Sequence, residues 1–156
     1  MRAYDPATDE AWAVGLLDQT LGGRLQARRG VLVDALGPTG LVACDNDAQP
    51  IGLLSYARSG RECEVVALAA GRRYRGVGTA LLEALKLTVS DCRRIWLVTT
   101  NDNVDALRFY QRRGFRLCGL RPGAVDQSRQ TIKPSIPREG AHGIALRDEL
   151  ELELLR

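Results

Sequence analysis

Glu62-Cys63-Glu64-Val65-Val66-Ala67-Leu68 runs through Ala69-Ala70-Gly71 into Arg72-Arg73-Tyr74-Arg75-Gly76-Val77-Gly78-Thr79. The first seven residues have the apolar, β-branched density of a strand. From Gly76 to Ser90 the apolar positions Val77, Leu81, Leu82, Leu85 and Val89 fall at helical spacing, the clearest helix in the chain. A strand, a basic glycine loop and a helix N-terminus together make an anion site. The loop amides point outward and the helix dipole adds partial positive charge. Gly76 and Gly78 let phosphate oxygens approach the backbone. Arg72, Arg73 and Arg75 bring charge beside it. The ligand expected is a diphosphate or a nucleotide.

Upstream, Leu41 to Cys44 and Ile51 to Tyr56 read as strands joined by the Asp45-Asn46-Asp47 turn, and residues 62–68 add a third, antiparallel strand. Before them, Thr8 and two acids start a short helix over 8–17. Residues 20–36 are ambiguous between a second helix and a strand at Val31-Leu32-Val33. Downstream, Ile95 to Val98 is a short continuous apolar run, expected to be a strand buried on both faces. Asn101 to Arg113 is a helix stopped by Gly114, and Phe115 to Leu120 is a strand. Residues 121–145, with Pro122, Pro134 and Pro137, read as a long irregular segment. Glu149 to Leu154 alternates strictly, so its leucines should face inward and its glutamates water. The order predicts an α/β fold. Neither repeat nor linker interrupts it, so residues 1–156 are expected to form one domain.

The chain has 156 residues, 45% hydrophobic and 26% charged, with a net charge of +3. This is ordinary for a globular domain and excludes a fibrous or disordered chain. Of 22 basic residues only Lys86 and Lys133 are lysines. Arginine forks suit phosphate and carboxylate, but a net +3 is too small to argue for nucleic acid or membrane. The arginines are scattered except near 72–75 and 112–116, and no aromatic stacking pattern accompanies them. Most are expected to be solvated at the surface. The N-terminus shows no apolar signal core, and no run approaches 18 apolar residues. Cys44, Cys63, Cys92 and Cys118 are widely spaced with no CxxC pair, so no metal site is expected. They read as buried, reduced thiols of a cytoplasmic protein.

The loop lacks the Lys of a Walker motif, and Leu81 stands where a Rossmann fingerprint needs its third glycine. Arg73-x-x-Gly76-x-Gly78 instead resembles the acetyl-CoA pyrophosphate loop of the GCN5-related N-acetyltransferase (GNAT) superfamily. A second segment, Asn103-x-x-Ala106-x-x-Phe109-Tyr110-x-x-x-Gly114-Phe115, resembles that superfamily's next conserved stretch and follows at its usual distance. The two motifs and the strand order cover about residues 40–121. Lys133-Pro134-Ser135-Ile136-Pro137, Gly143-Ile144 and Asp148 to Leu152 resemble a bacterial branch of the same enzymes.

The resemblance implies a mixed, splayed central sheet of about six to seven strands with about four helices. It also implies acetyl transfer from acetyl-CoA to a primary amine of a small molecule or peptide. In that superfamily the sheet splays at the place that corresponds to strand 62–68 meeting strand 95–99. Val66, Ala67 and Leu68 correspond to the segment that pairs with pantetheine, and a backbone amide there could stabilise the oxyanion. Arg73, Tyr74, Arg75, Gly76, Val77, Gly78 and Thr79 would take the pyrophosphate. Tyr110 is the family's usual general acid for the CoA thiolate, and a phenol pKa near 10 resembles that of a leaving thiol. Asn103 would face the cofactor arm or cap its helix. Glu62 and Glu64 lie on one strand face and are the candidate bases, with His142 and ordered water as alternatives. Residues 8–30 and 121–145 should form the acceptor groove. These domains often form homodimers through sheet edges. A non-catalytic acyl-CoA-binding module on the same fold is the competing expectation.

Overall fold

In the computed structural model of the chain, residues 1–71 and 76–156 are described. They group into two compact units, Met1–Leu25 with Asp34–Cys92, and Gln26–Val33 with Arg93–Arg156. Seven strands of a mixed sheet and four α-helices give the α/β class expected.

In the first unit, α1 (Pro6–Leu21) starts at Asp5, whose carboxylate accepts the Ala7 N–H at 3.0 Å. An Asp followed by Pro at the first helical position is a stronger start than Thr8, which moves the helix upstream of its expected origin. Asp9, buried in the first turn, is gripped by both terminal nitrogens of the Arg2 guanidinium at 2.6 Å. Gly22 ends the helix at φ 72. Ala13, Leu16 and Leu17 are buried. Strands β1 (Arg2–Ala3), β4 (Thr39–Cys44), β5 (Pro50–Ser59) and β6 (Glu62–Ala70) pair antiparallel in that order. Helix α2 (Val77–Thr88) buries Val77, Leu81, Leu82 and Leu85. It approaches β5 so closely that a Cβ on Gly52 would lie 2.4 Å from Val77 Cγ1.

The ambiguous stretch after α1 is not a second helix. It forms the ribbon β2 (Leu25–Arg28) and β3 (Val31–Asp34), turned at Arg29 (φ 49) and Gly30 (φ 77). Gly22 and Gly23 break the helix, and two consecutive positive φ angles favour a hairpin turn.

In the second unit, β7 (Arg94–Thr100), β9 (Glu149–Leu155) and β8 (Arg116–Arg121) pair antiparallel in that spatial order. Helix α3 (Val104–Gln111) connects β7 to β8 in sequence, and Gly114 (φ 87) follows it. Residues 121–145 are more ordered than expected. Helix α4 (Ala124–Thr131) lies within them, and the Asp148 carboxylate accepts the Gly123 N–H at 2.8 Å where it starts. Arg129 donates to the carbonyls of Ile136, Pro137 and Leu146 at 2.9, 2.8 and 2.6 Å. Asn101 holds the far side through Ala145 O and the N–H groups of Arg147 and Asp148.

Strand β9 keeps its predicted alternation, and Leu152 is fully buried. Its glutamates, however, do not face water. Glu149 is only 2% exposed and accepts the Arg29 N–H and Arg121 Nε, each at 3.1 Å. Glu151 pairs with Arg94 and Arg121, and Glu153 with Arg94 and Arg116. The guanidinium groups of Arg29 and Arg94 also lie 5.2 and 5.4 Å from the Trp96 ring centroid. Alternation marks which residues share a face, but it does not say whether an arginine layer covers that face. Arginines expected to be solvated therefore serve as ion-pair partners, as do Arg24 with Asp34 and Arg58 with Asp91. Cys63 and Cys92 are buried as expected, whereas Cys44 is half-buried and Cys118 is exposed on β8.

Candidate active site

The antiparallel ladder between β5 and β6 slips once. Ser55 faces Ala67 and Tyr56 faces Val65, so Val66 is the extra residue of a β-bulge. A bulge bends its strand and re-aims the backbone, and bulges recur beside active sites. It falls within the Val66-Ala67-Leu68 segment singled out in the sequence. Val66 and Ala67 are buried and Leu68 is half-buried. Glu64 faces Ala57 and Glu62 faces Ser59, toward the start of the strand. Glu64 is half-buried and Glu62 exposed. At about 3.3 Å per residue, Glu64 stands roughly 7 Å from the bulge and Glu62 roughly 13 Å. The Ser55 hydroxyl, opposite Ala67, is buried with no hydrogen-bond partner among the described residues. Nothing in the sequence singled it out, because one Ser inside an apolar strand has no spacing signature.

Beyond β6, α2 opens at Gly76, which is exposed at φ 75 and gives the helix no side-chain cap. Its first turn holds no acid. Among the described residues no acid or side-chain cap occupies the positive end of the helix dipole, the end that favours an anion. Val77 is buried. Gly78 and Thr79 are half-exposed beside it. Arg73, Tyr74 and Arg75 lie outside the described residues.

On α3, Asn103 is the N-cap, its side-chain oxygen accepting the Ala106 N–H at 3.2 Å. Tyr110 is buried, with Phe109 and Phe115 edge-on to it at 5.0 and 5.2 Å. Burial pushes its phenol well above the ordinary tyrosine range, only partly opposed by the Arg113 and Arg28 charges. It therefore stays protonated at neutral pH, and it is a weaker acid than the sequence argument assumed. Arg113 stacks on Phe109 at 3.7 Å and donates to the Phe109 carbonyl at 2.8 Å, closing the C-terminal end of the helix.

Beside the start of α3, Asp102 is buried and accepts the Ala141 N–H at 2.8 Å. That bond docks the chain around His142 against the helix. The His142 imidazole stands 3.6 Å from Asp105 Oδ2. The sequence offered His142 as a candidate but gave no sign of its carboxylate partner. Among the described residues no group of three His, Cys, Asp or Glu side chains could hold a metal, and no helix is long and apolar enough to cross a membrane.

The sequence profile described as "Acetyltransferase (GNAT) family" matches residues 6–115. The chain belongs to the GNAT acetyltransferase family. It is 40% identical over 113 residues to the uncharacterized protein YdhI of Bacillus subtilis (strain 168), covering 71% of this chain and 70% of YdhI. The fold is similar to that of an IAA acetyltransferase from Bacillus cereus, with a TM-score of 0.72, 18% identity and 95% of each chain covered. It is also similar to that of a Bacillus subtilis acetyltransferase solved in complex with CoA. There the TM-score is 0.69 and the identity 18%, with 99% of this chain and 98% of the other covered.

Proposed function

We propose that the protein is an acetyl-CoA-dependent N-acetyltransferase acting on a primary amine of a small molecule or peptide. The observation that carries this reading is the bulge at Val66 on the strand that feeds the acid-free N-terminus of α2. Pyrophosphate would sit on the α2 amides with Arg73, Tyr74, Arg75, Gly76, Gly78 and Thr79 around it. Pantetheine would run along Val66, Ala67 and Leu68. The CoA-bound relative supports the cofactor assignment. The profile match runs from the first unit into the second, which supports one working domain.

In the proposed mechanism the amine nitrogen attacks the thioester carbonyl, and a bulge amide receives the developing oxyanion. Glu64 accepts a proton through one water, because it is nearer the bulge than Glu62. Tyr110 hands its proton to the CoA sulfur as the C–S bond breaks. A phenol this buried does so by hydrogen-bonding to the sulfur as charge develops, not by prior ionisation. Asn103 caps α3, and its amide is the proposed contact for the cofactor arm.

The burial of Tyr110 also favours the second reading, an acyl-CoA-binding module without turnover. A screen of polyamines, amino acids, aminoglycosides and peptide N-termini for thiol release from acetyl-CoA separates the two. Thiol release with an acetylated amine of matching mass is expected. Acetyl-CoA binding without thiol release for any amine would establish the binding module instead.

A further inference from the structure

The ladder between β4 and β5 stops at the pair Thr39 and Tyr56. Beyond it, Ala57 and Arg58 continue β5 with no β4 residue opposite them. Two residues cause this. The Gly37 N–H donates to Asp34 O at 3.2 Å, which turns the chain away, and Pro38 has no N–H with which to extend the ladder. A cavity of about 570 Å³ opens there, lined by Gly37, Pro38, Thr39, Tyr56, Ala57 and Arg58. Small-molecule sites span roughly 300–1,000 Å³. All six residues belong to the first unit.

Tyr56 is 7% exposed, yet among the described residues its hydroxyl has no hydrogen-bond partner. A buried tyrosine hydroxyl usually finds one, because an unpaired polar group is unfavourable away from water. What stays accessible of Tyr56 borders this cavity. Burial first, then the Cys63 thiol, hold its phenol above the ordinary tyrosine range, and the nearby Arg58 charge opposes them. The phenol is therefore a donor at neutral pH. Beside it, Arg58 gives Asp91 one nitrogen, Nη2, and makes no other hydrogen bond among the described residues. The Thr39 hydroxyl, exposed at the rim, has no partner among them either.

Among the described residues no carboxylate lines the cavity, so its donors call for an anion. Asp91 is held below the usual carboxylate range by Arg58 above all, and Arg61 adds to the local field. Two arginines against one aspartate leave one net positive charge, which suits a monoanion better than a phosphate dianion. The planar guanidinium fork matches a carboxylate. Pro38 and the Tyr56 ring supply an apolar wall. We propose that this cavity binds a small monocarboxylate with an apolar body, its carboxylate held by Arg58 and the Tyr56 hydroxyl. Side chains alternate along β5, so Tyr56 and Arg58 lie on one face, and Ala57 with its β6 partner Glu64 on the other. The site is thus separate from Glu64, and it does not depend on the transferase reading.

The test is an amide chemical-shift titration of the full chain with 3-phenylpropionate, with 3-phenylpropanamide as the uncharged control. The carboxylate should shift the amides of Thr39, Tyr56, Ala57 and Arg58 saturably, and the control should not. Arg58→Gln should weaken binding by about tenfold or more. Tyr56→Phe removes a hydroxyl that bonds to nothing in the chain, so it should keep Tm and weaken binding by several-fold. Saturating acetyl-CoA should leave the affinity for 3-phenylpropionate unchanged. No saturable shift at those amides, equal binding of the acid and its amide, or undiminished affinity in Arg58→Gln would overturn the proposal. Displacement of 3-phenylpropionate by acetyl-CoA would overturn it as well, by showing that the carboxylate occupies the cofactor's site.

Discussion

Tyr110 shows most clearly what one residue can and cannot disclose through sequence. The Phe109-Tyr110 and Gly114-Phe115 pairs marked its place, and the structure seats it on α3 between Phe109 and Phe115. Its burial was not legible, because burial depends on which elements cover a residue. On the proposed mechanism, Tyr110→Phe should lower kcat by one to two orders of magnitude and change acetyl-CoA affinity little. Steady-state kinetics beside a binding titration checks this, and unchanged kcat would remove the phenol from the chemistry. Cys63 makes a separate prediction. Burial, with Cys92 nearby, pushes its thiol up to about 12. A free thiol ionises near 8.5, so above that pH the unfolded chain releases a proton that the folded chain retains. The resulting stability is complete below about pH 8.5 and disappears as pH rises toward 12. Tm should fall across that window, and Cys63→Val should flatten the fall.

At the scale of elements, long periodic runs were legible and short or polar ones were not. The periodicity of α2 stands as read, whereas β9 is a strand as read but with its glutamates covered rather than in water. The ribbon β2–β3 was missed because its strands are four residues each and its turn uses Arg29 where Asn or Gly is usual. Helix α4 was missed because eight mostly polar residues beside a proline-rich stretch have almost no apolar stripe. The arginine layer on β9 was invisible because its partners come from three different segments. Glu153 is held below the usual carboxylate range by Arg94 first and Arg116 second. Its contribution is therefore present above about pH 4.5 and is lost as pH falls through its lowered folded value. Glu153→Gln should lower Tm at pH 7 by a few degrees and reduce the acid sensitivity of Tm. An equal Tm at pH 7 would show that the pair contributes nothing to stability. Where α2 meets β5, Gly52→Ala should cost about 1–3 kcal/mol through overpacking against Val77 and Leu81. Urea unfolding measures that directly.

For the whole molecule, the sequence disclosed the fold class and family from two motifs, because each needs a particular backbone arrangement around a strand–helix junction. It left the acceptor open, since the residues expected to line its groove carry mixed charge. The central claim is that the α2 N-terminus and the β6 bulge bind acetyl-CoA. A ligand that binds only the folded chain stabilises it by about 2.7 kcal/mol at 100 times its Kd, so acetyl-CoA should raise Tm and free acetate should not. The most direct measurement is calorimetric titration of acetyl-CoA into the wild type and Gly78→Glu, whose carboxylate would fill and charge the phosphate position. One molecule bound per wild-type chain, and loss of binding in a Gly78→Glu variant that still unfolds cooperatively, is the predicted result. Equal affinity in both proteins, or no binding to the wild type, would contradict it.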